Sequence, residues 1–404
     1  MKYSVGTGAV SPDAHTLAVN YRVGDRVPLY LVNLGDGYTV QGQPRRVTPE
    51  DWSIVSWSWT PDSKAVIAIR DISDANSGGD TGMYRIAVSG AEPQRLGFAG
   101  DNPWFLDVAR SGNRLVYTRL RRDVNLYRAE LAPDGTLRGT GMPIASSSRR
   151  EYQPQYSPDG SRFAFASNRS GSDEIWVGDR NGMNLVQLTN SVNPDGTGAS
   201  QWSPDGAKIV YVARPAGALA TDIFVISAAG GAPQRLTDDP ATHRFPSWSR
   251  DGNWIYFTSN RSGEPALWKV AVRGGPATPV GPVGSFTSPA AESPDGRWVY
   301  VADAAGITRA SVSGSGQPQR LTQDRIAGGA FQVTDRGIYY LSPSQDLKSA
   351  TLLILPLEGG EPRTLGTISA TIAMGLSVAP DHSSILYSQC DQCAADIMLV
   401  ENFK

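Results

Sequence analysis

Tyr156-Ser157-Pro158-Asp159-Gly160, followed by Phe163-Ala164-Phe165-Ala166-Ser167-Asn168-Arg169-Ser170-Gly171, is the stretch whose reading decides the fold. Its tetrapeptide Ser-Pro-Asp-Gly recurs intact at Ser203–Gly206 and Ser293–Gly296, and with one change at Ser249–Gly252. Looser copies begin at Ser11, Thr60 and Ala379, and degenerate ones at Ala109 and Val333. Nine anchors therefore stand near 11, 60, 109, 157, 203, 249, 293, 333 and 379, a period of about 46 residues that fits one four-stranded propeller blade per repeat.

Each repeat reads alike. An apolar segment enters the anchor, an alternating strand such as Trp254-Ile255-Tyr256-Phe257 leaves it, and a Gly-containing turn leads to a third strand. A short fourth strand ends in Arg-Leu-Thr, as at Arg235-Leu236-Thr237. Within the anchor, Pro presets φ near −65°, Asp bonds the backbone two residues on, and Gly takes the positive φ. Asp159, Asp205, Asp251 and Asp295 are accordingly expected to be structural. No helix-period segment separates the strands, which excludes βαβ architecture. The expected fold is all-β, a β-propeller of about eight or nine four-stranded blades forming one domain over 1–404.

Composition agrees. The chain has 404 residues with 43 Gly and 28 Pro, a turn-rich content that a ring of short strands requires. Its 37 Lys+Arg balance 39 Asp+Glu to a net charge of −2, which gives no general drive toward phosphate backbones or acidic lipid. Direct nucleic-acid binding and membrane insertion are therefore not expected. Ring closure looks one strand short. The last repeat offers two strands after its anchor, over 384–389 and 396–402, and the strand that would complete it is expected upstream of Met1, in a longer protein.

The unit at Tyr156–Gly160, with Glu174-Ile175-Trp176-Val177 and Gln187-Leu188-Thr189, resembles the propeller repeat of TolB and its relatives, over nearly the whole chain. The ending Asp396–Lys404 resembles the C-terminus of bacterial multi-domain proteins in which such a propeller follows a winged-helix or Ser/Thr kinase domain. That resemblance implies a sensor or binding module whose output lies elsewhere, periplasmic if tethered to a membrane-spanning regulator and otherwise cytoplasmic. A TolB-like periplasmic envelope-complex protein, and a hydrolase or lyase with its site in the axial channel, are the alternatives.

No His-Glu-x-x-His, Gly-x-x-x-x-Gly-Lys or Gly-x-Ser-x-Gly set is present, and there are only three histidines. The expectation is a noncatalytic chain with no cofactor and no metal. Arginines crowd the loops opposite the anchors. Arg121, Arg122, Arg149, Arg150, Arg169, Arg244 and Arg261, with His243, are the candidate site for a protein or small anionic ligand, since guanidinium forks suit carboxylate or phosphate. The opposing reading pairs them locally with acids. Cys390 and Cys393 have CxxC spacing but lack two further zinc ligands, so a turn or local disulfide is expected. Asp74, Asn76 and Gly79 partly fit a calcium loop, but Arg85 stands where its last acidic ligand belongs, which leaves a solvated loop. The tryptophans are expected to be inter-blade core.

Overall fold

The computed structural model describes residues 6–403 apart from 24–25, 51, 72–80, 101, 192–196, 216–217, 219, 285, 304 and 315. The calcium-loop positions Asp74, Asn76 and Gly79 lie outside the described residues. Among those described, the chain builds seven four-stranded antiparallel sheets and one five-stranded sheet, in agreement with the expected all-β class of repeated four-stranded sheets. Among the described residues no helix is long and apolar enough to cross a membrane.

Two compact units divide the chain, one of residues up to Arg121 plus those from Cys393, the other Arg122–Gln392. In the first, one sheet holds Gly8–Val10, Thr16–Asn20, Leu29–Leu34 and Val40–Arg46, and a second holds Ser53–Trp59, Ala65–Asp71, Thr81–Ala87 and Gln94–Arg95. Pro103–Val108 pairs with the start of the long strand Leu115–Leu131. Fully buried Ile67, Ile69 and Leu115 fill the space between them.

The second unit is a ring of six blades. Blade I comprises Glu151–Tyr156, Arg162–Ser167, Glu174–Asp179 and Val186–Gln187, and blade II Gly198–Trp202, Lys208–Ala213, Asp222–Ser227 and Gln234–Arg235. Blade III is built of His243–Trp248, Trp254–Ser259, Ala266–Ala271 and Thr278–Val283, and blade IV of Ala291–Glu292, Trp298–Asp303, Gly306–Ser311 and Gln319–Thr322. Blade V has Phe331–Thr334, Gly337–Pro343, Ala350–Leu355 and Arg363–Ile368. Blade VI takes its two inner strands, Thr371–Val378 and the first part of Ser384–Val400, from the last repeat. Its two outer strands are the second part of Leu115–Leu131 and Leu137–Ala145. The inner strand of blade VI packs on those of blades V and I, which closes the ring.

This corrects the expected closure. The strands that complete the last blade come from the third repeat, not from residues before Met1. Leu131 N–H donates to Ser383 O at 2.8 Å, and Asp391 accepts from Asn125 Nδ2 at 2.7 Å. The two strands expected after the last anchor are instead one continuous strand. Cys390 and Cys393 lie within it and are disulfide-bonded.

The anchors behave as their chemistry requires. Ser157 Oγ donates to Asp159 Oδ1 at 2.5 Å, the same carboxylate accepts from Ser161 N–H at 3.1 Å, and Gly160 takes φ 69°. Equivalent bonds recur at Ser203–Asp205, Ser249–Asp251 and Ser293–Asp295. The serine hydroxyl, foremost, holds Asp159 and Asp295 down to about 2. The Arg-Leu-Thr ending has an equally local cause. Thr237 Oγ1 accepts from Ile223 N–H at 3.0 Å and donates to buried Asp222 at 2.7 Å, and Thr189 does the same for Ile175 and Glu174.

Candidate functional site

Six inner strands, one per blade, face the axis of the second unit and enclose a cavity of about 380 Å³. An inner strand is a sheet edge, so every second N–H along it points away from its partner strand and needs an acceptor elsewhere. Neighbouring blades supply several. Gln155 Oε1 accepts from Trp202 N–H at 2.5 Å, Gln332 Oε1 from Val378 N–H at 2.6 Å, and Ser377 Oγ from Tyr156 N–H at 3.0 Å. Gln153 Oε1 likewise accepts from Ala199 N–H at 2.8 Å.

These bonds fix the amide orientations, because a backbone N–H can be received only by the carbonyl oxygen. Gln155 Nε2 then donates to Gln201 Oε1, and the Nε2 groups of Gln153, Gln201 and Gln332 remain as donors on the cavity wall. Glu292 is the one carboxylate among the described lining residues. It accepts from Arg250 N–H at 2.8 Å and from the Tyr256 hydroxyl. Burial, with the Glu292 carboxylate second, pushes the Tyr256 hydroxyl far above its usual range, so it stays a donor.

The inner strands bulge as they pass the cavity. Gln153, Ala199 and Phe245 sit at φ 54°, 52° and 52°, left-handed values that side chains rarely adopt, each inside a register shift. In blade VI Gly375 takes φ 92°, and a Cβ there would meet Gln153 Cα at 2.7 Å, so both conformation and close approach demand glycine.

Four of the seven arginines expected to form a ligand site, Arg121, Arg150, Arg169 and Arg261, sit beside carboxylates. Arg150, with 6% of its side chain exposed, lies 3.7 Å from Asp173. Arg169 lies 3.1 Å from fully buried Glu151 and stacks over Phe165 and Trp176. Arg261 lies 2.8 Å from Asp239 and stacks over Phe257 and Trp268. In the first unit Arg121 lies 2.8 Å from Asp396. Arg122, Arg149 and Arg244 engage neighbours as well. Trp176 and Trp268 thus pack beneath guanidinium groups, while Trp59 and Trp202 are buried as expected, Trp202 with Arg162 over its ring.

His243 is fully buried. Its Nδ1 meets Ser259 Oγ at 3.1 Å and its Nε2 lies 3.4 Å from Asp239. The order Ser, His, Asp is that of a nucleophile relay, but Ser259 is 1% exposed and caps the turn by accepting from Arg261 N–H. Burial lowers His243 to about 4. A histidine neutral in the fold but protonated when unfolded leaves stability unaffected above about pH 6.5 and costs up to about 3 kcal/mol as pH falls toward 4. Melting temperature should therefore decline from pH 6.5 to 4 with a slope that His243→Gln flattens. An unchanged slope in that variant would refute the assignment.

With the geometry in place, comparison is informative. Residues 193–323 match the family described as the TolB β-propeller domain. The repeat is TolB-like. TolB of Bordetella pertussis is 33% identical over 141 residues, 34% of this chain and 31% of TolB. YuxL of Bacillus subtilis, named an uncharacterized peptidase, is 26% identical over 189 residues, 38% of this chain and 28% of YuxL. A puromycin-hydrolyzing peptidase from Mycobacterium tuberculosis has a TM-score of 0.43 at 12% identity, covering 90% of this chain and 52% of the peptidase. The chain spans between about a quarter and a half of the length of the curated relatives it matches. The expectation that the chain is not an enzyme does not stand. A relative named as a peptidase matches this chain over 189 residues, so a missing motif in the propeller does not remove catalysis from such a protein.

Proposed function

We propose that this chain is a TolB-like recognition module that binds its ligand in the axial cavity of the second unit. The supporting observation is the cavity wall, to which all six blades contribute and on which the carbonyls of Gln153, Gln155 and Gln332 are spent on backbone N–H groups and that of Gln201 on Gln155, while the amide N–H groups of Gln153, Gln201 and Gln332 remain. That wall combines a concave volume with few, oriented polar groups, as ligand sites do. The loop face has weaker support, because Arg121, Arg150, Arg169 and Arg261 stand beside acids that already offset their charge. Coupled to an effector like those of the multi-domain proteins its C-terminus resembles, the module would report ligand occupancy.

The test is a compound-library screen by melting temperature. Ligand at about 100 times its Kd stabilises by about 2.7 kcal/mol, a rise of several degrees. Hits should lose that rise in the double variant Gln201→Ala with Gln332→Ala, provided it still melts cooperatively. Hits that stabilise this variant as well as the parent would place the ligand elsewhere.

A further inference from the structure

The caps on the inner strands follow a rule, and the rule fails along one arc. Counted from the residue that opens the anchor turn, which in blade V is Thr334, the residue two before it in one blade receives the N–H of the residue one before it in the next. Gln155 serves Trp202, Gln332 serves Val378, and Ser377 serves Tyr156. In the remaining blades that position holds Gln201, Ser247 and Ala291. Gln201 Oε1 is occupied by Gln155, Ser247 Oγ meets no hydrogen-bond partner, and Ala291 has nothing to offer. The N–H groups they would receive are those of Trp248, Glu292 and Val333.

Those three N–H groups point away from their partner strands. Ser249 N–H donates to Trp254 O at 2.9 Å and Ser293 N–H to Trp298 O at 2.8 Å, so by alternation Trp248 and Glu292 face the free edge. Leu341 N–H donates to Ala330 O at 3.0 Å, which sets the same parity for Val333. None of the three meets an acceptor among the described residues. A second observation coincides with them. Ser247 Oγ, on a residue 4% exposed and lining the same cavity, is buried without a hydrogen-bond partner.

We infer that blades III, IV and V form a one-sided ligand seat, in which the N–H groups of Trp248, Glu292 and Val333 and the Ser247 hydroxyl bind uncharged oxygen acceptors, carbonyl or hydroxyl. The donors come from three different strands around an arc rather than along one strand, so the seat fits a compact ligand and not an added β-strand. The Glu292 carboxylate beside them disfavours an anionic ligand and accepts a hydroxyl or amide proton from a neutral one. The inference rests on the cavity being the recognition site.

Residue-resolved amide exchange of the free protein tests the seat without a ligand. Amides of Trp248, Glu292 and Val333 should exchange about tenfold faster than those of Tyr156, Trp202 and Val378, and Gln155→Ala should move Trp202 into the fast group. Equal protection of both groups would overturn the seat. Amide shifts are then followed on adding N-acetyl-triglycine amide as the carbonyl source, maltotriose as the hydroxyl source, and glutarate as the charged control. Shifts at the three seat amides with either neutral probe support the inference, and which probe acts names the source. Ala291→Gln should slow Val333 exchange and weaken that probe at least tenfold. Ser247→Ala, which removes only an unpartnered hydroxyl, should weaken it without lowering the melting temperature. Shifts confined to Tyr156, Trp202 and Val378, or produced by glutarate alone, overturn the seat and leave the cavity reading standing. If no probe perturbs any lining amide, both fall.

Discussion

A fragment spanning residues 122–392 should fold cooperatively, and one spanning 146–392 should not. The difference is the outer pair of strands in blade VI. Leu126 and Ala145, buried to 0% and 4% exposure, pack with Tyr156, Phe163, Phe165 and Leu386, so they join blade VI to blade I. Ala129 and Leu131 pack with Leu341, Leu352 and Tyr387, which joins blade VI to blade V. Deleting them exposes both junctions together. Burial of each leucine is worth about 1.5–3 kcal/mol, and the uncovered Leu386 and Tyr387 add comparable losses. The total reaches the roughly 5–15 kcal/mol that typically holds a domain together. The deletion also frees an edge along residues 384–392 for aggregation. Circular dichroism melting distinguishes the outcomes, and a 146–392 fragment melting like 122–392 would show that the ring does not need these strands.

Arg169→Ala should destabilise the protein by about 3–5 kcal/mol, the cost of leaving a buried carboxylate without its counter-charge. Glu151 is fully buried and accepts from Ser147 and Ser167, so losing Arg169 leaves its carboxylate with hydroxyl donors in place of the guanidinium. Adding Glu151→Gln should recover much of the loss, because the neutral amide needs no counter-charge. Urea midpoints of the two variants measure this. An arginine held only for a ligand would be removed at little cost to stability, so near-parent stability of Arg169→Ala would restore the loop face as a binding surface.

Much of the fold was legible because its causes are local. The anchor aspartates could be assigned from the turn alone, since Asp159 bonds Ser157 and Ser161 within two residues on either side. The destinations of the arginines were not legible. Arg169 and Arg261 occupy equivalent places in Ser-Asn-Arg-Ser-Gly turns, yet one meets Glu151, the residue opening the inner strand of its own blade, and the other meets Asp239 in the preceding link. The bulges at Gln153, Ala199 and Phe245 had no sequence signal either, because three unrelated side chains adopt one strained conformation that ring packing imposes. The seat had a signal that went unread. The series Gln155, Gln201, Ser247, Ala291 and Ser377 stands two residues before the anchors at 157, 203, 249, 293 and 379, whereas Gln332 stands one before the degenerate anchor at Val333, and the meaning of the series requires knowing which N–H each side chain faces.

The sequence by itself determined the repeating blade, its turns and the all-β class, because hydrophobic alternation and anchor chemistry act over a few residues. Only the tertiary structure decided which strands close the ring. That pairing joins Asn125 to Asp391 across 266 positions, and its strength comes from burying the flanks of two neighbouring blades at once. A period of about 46 residues counts blades, but it cannot say where a chain returns to complete one.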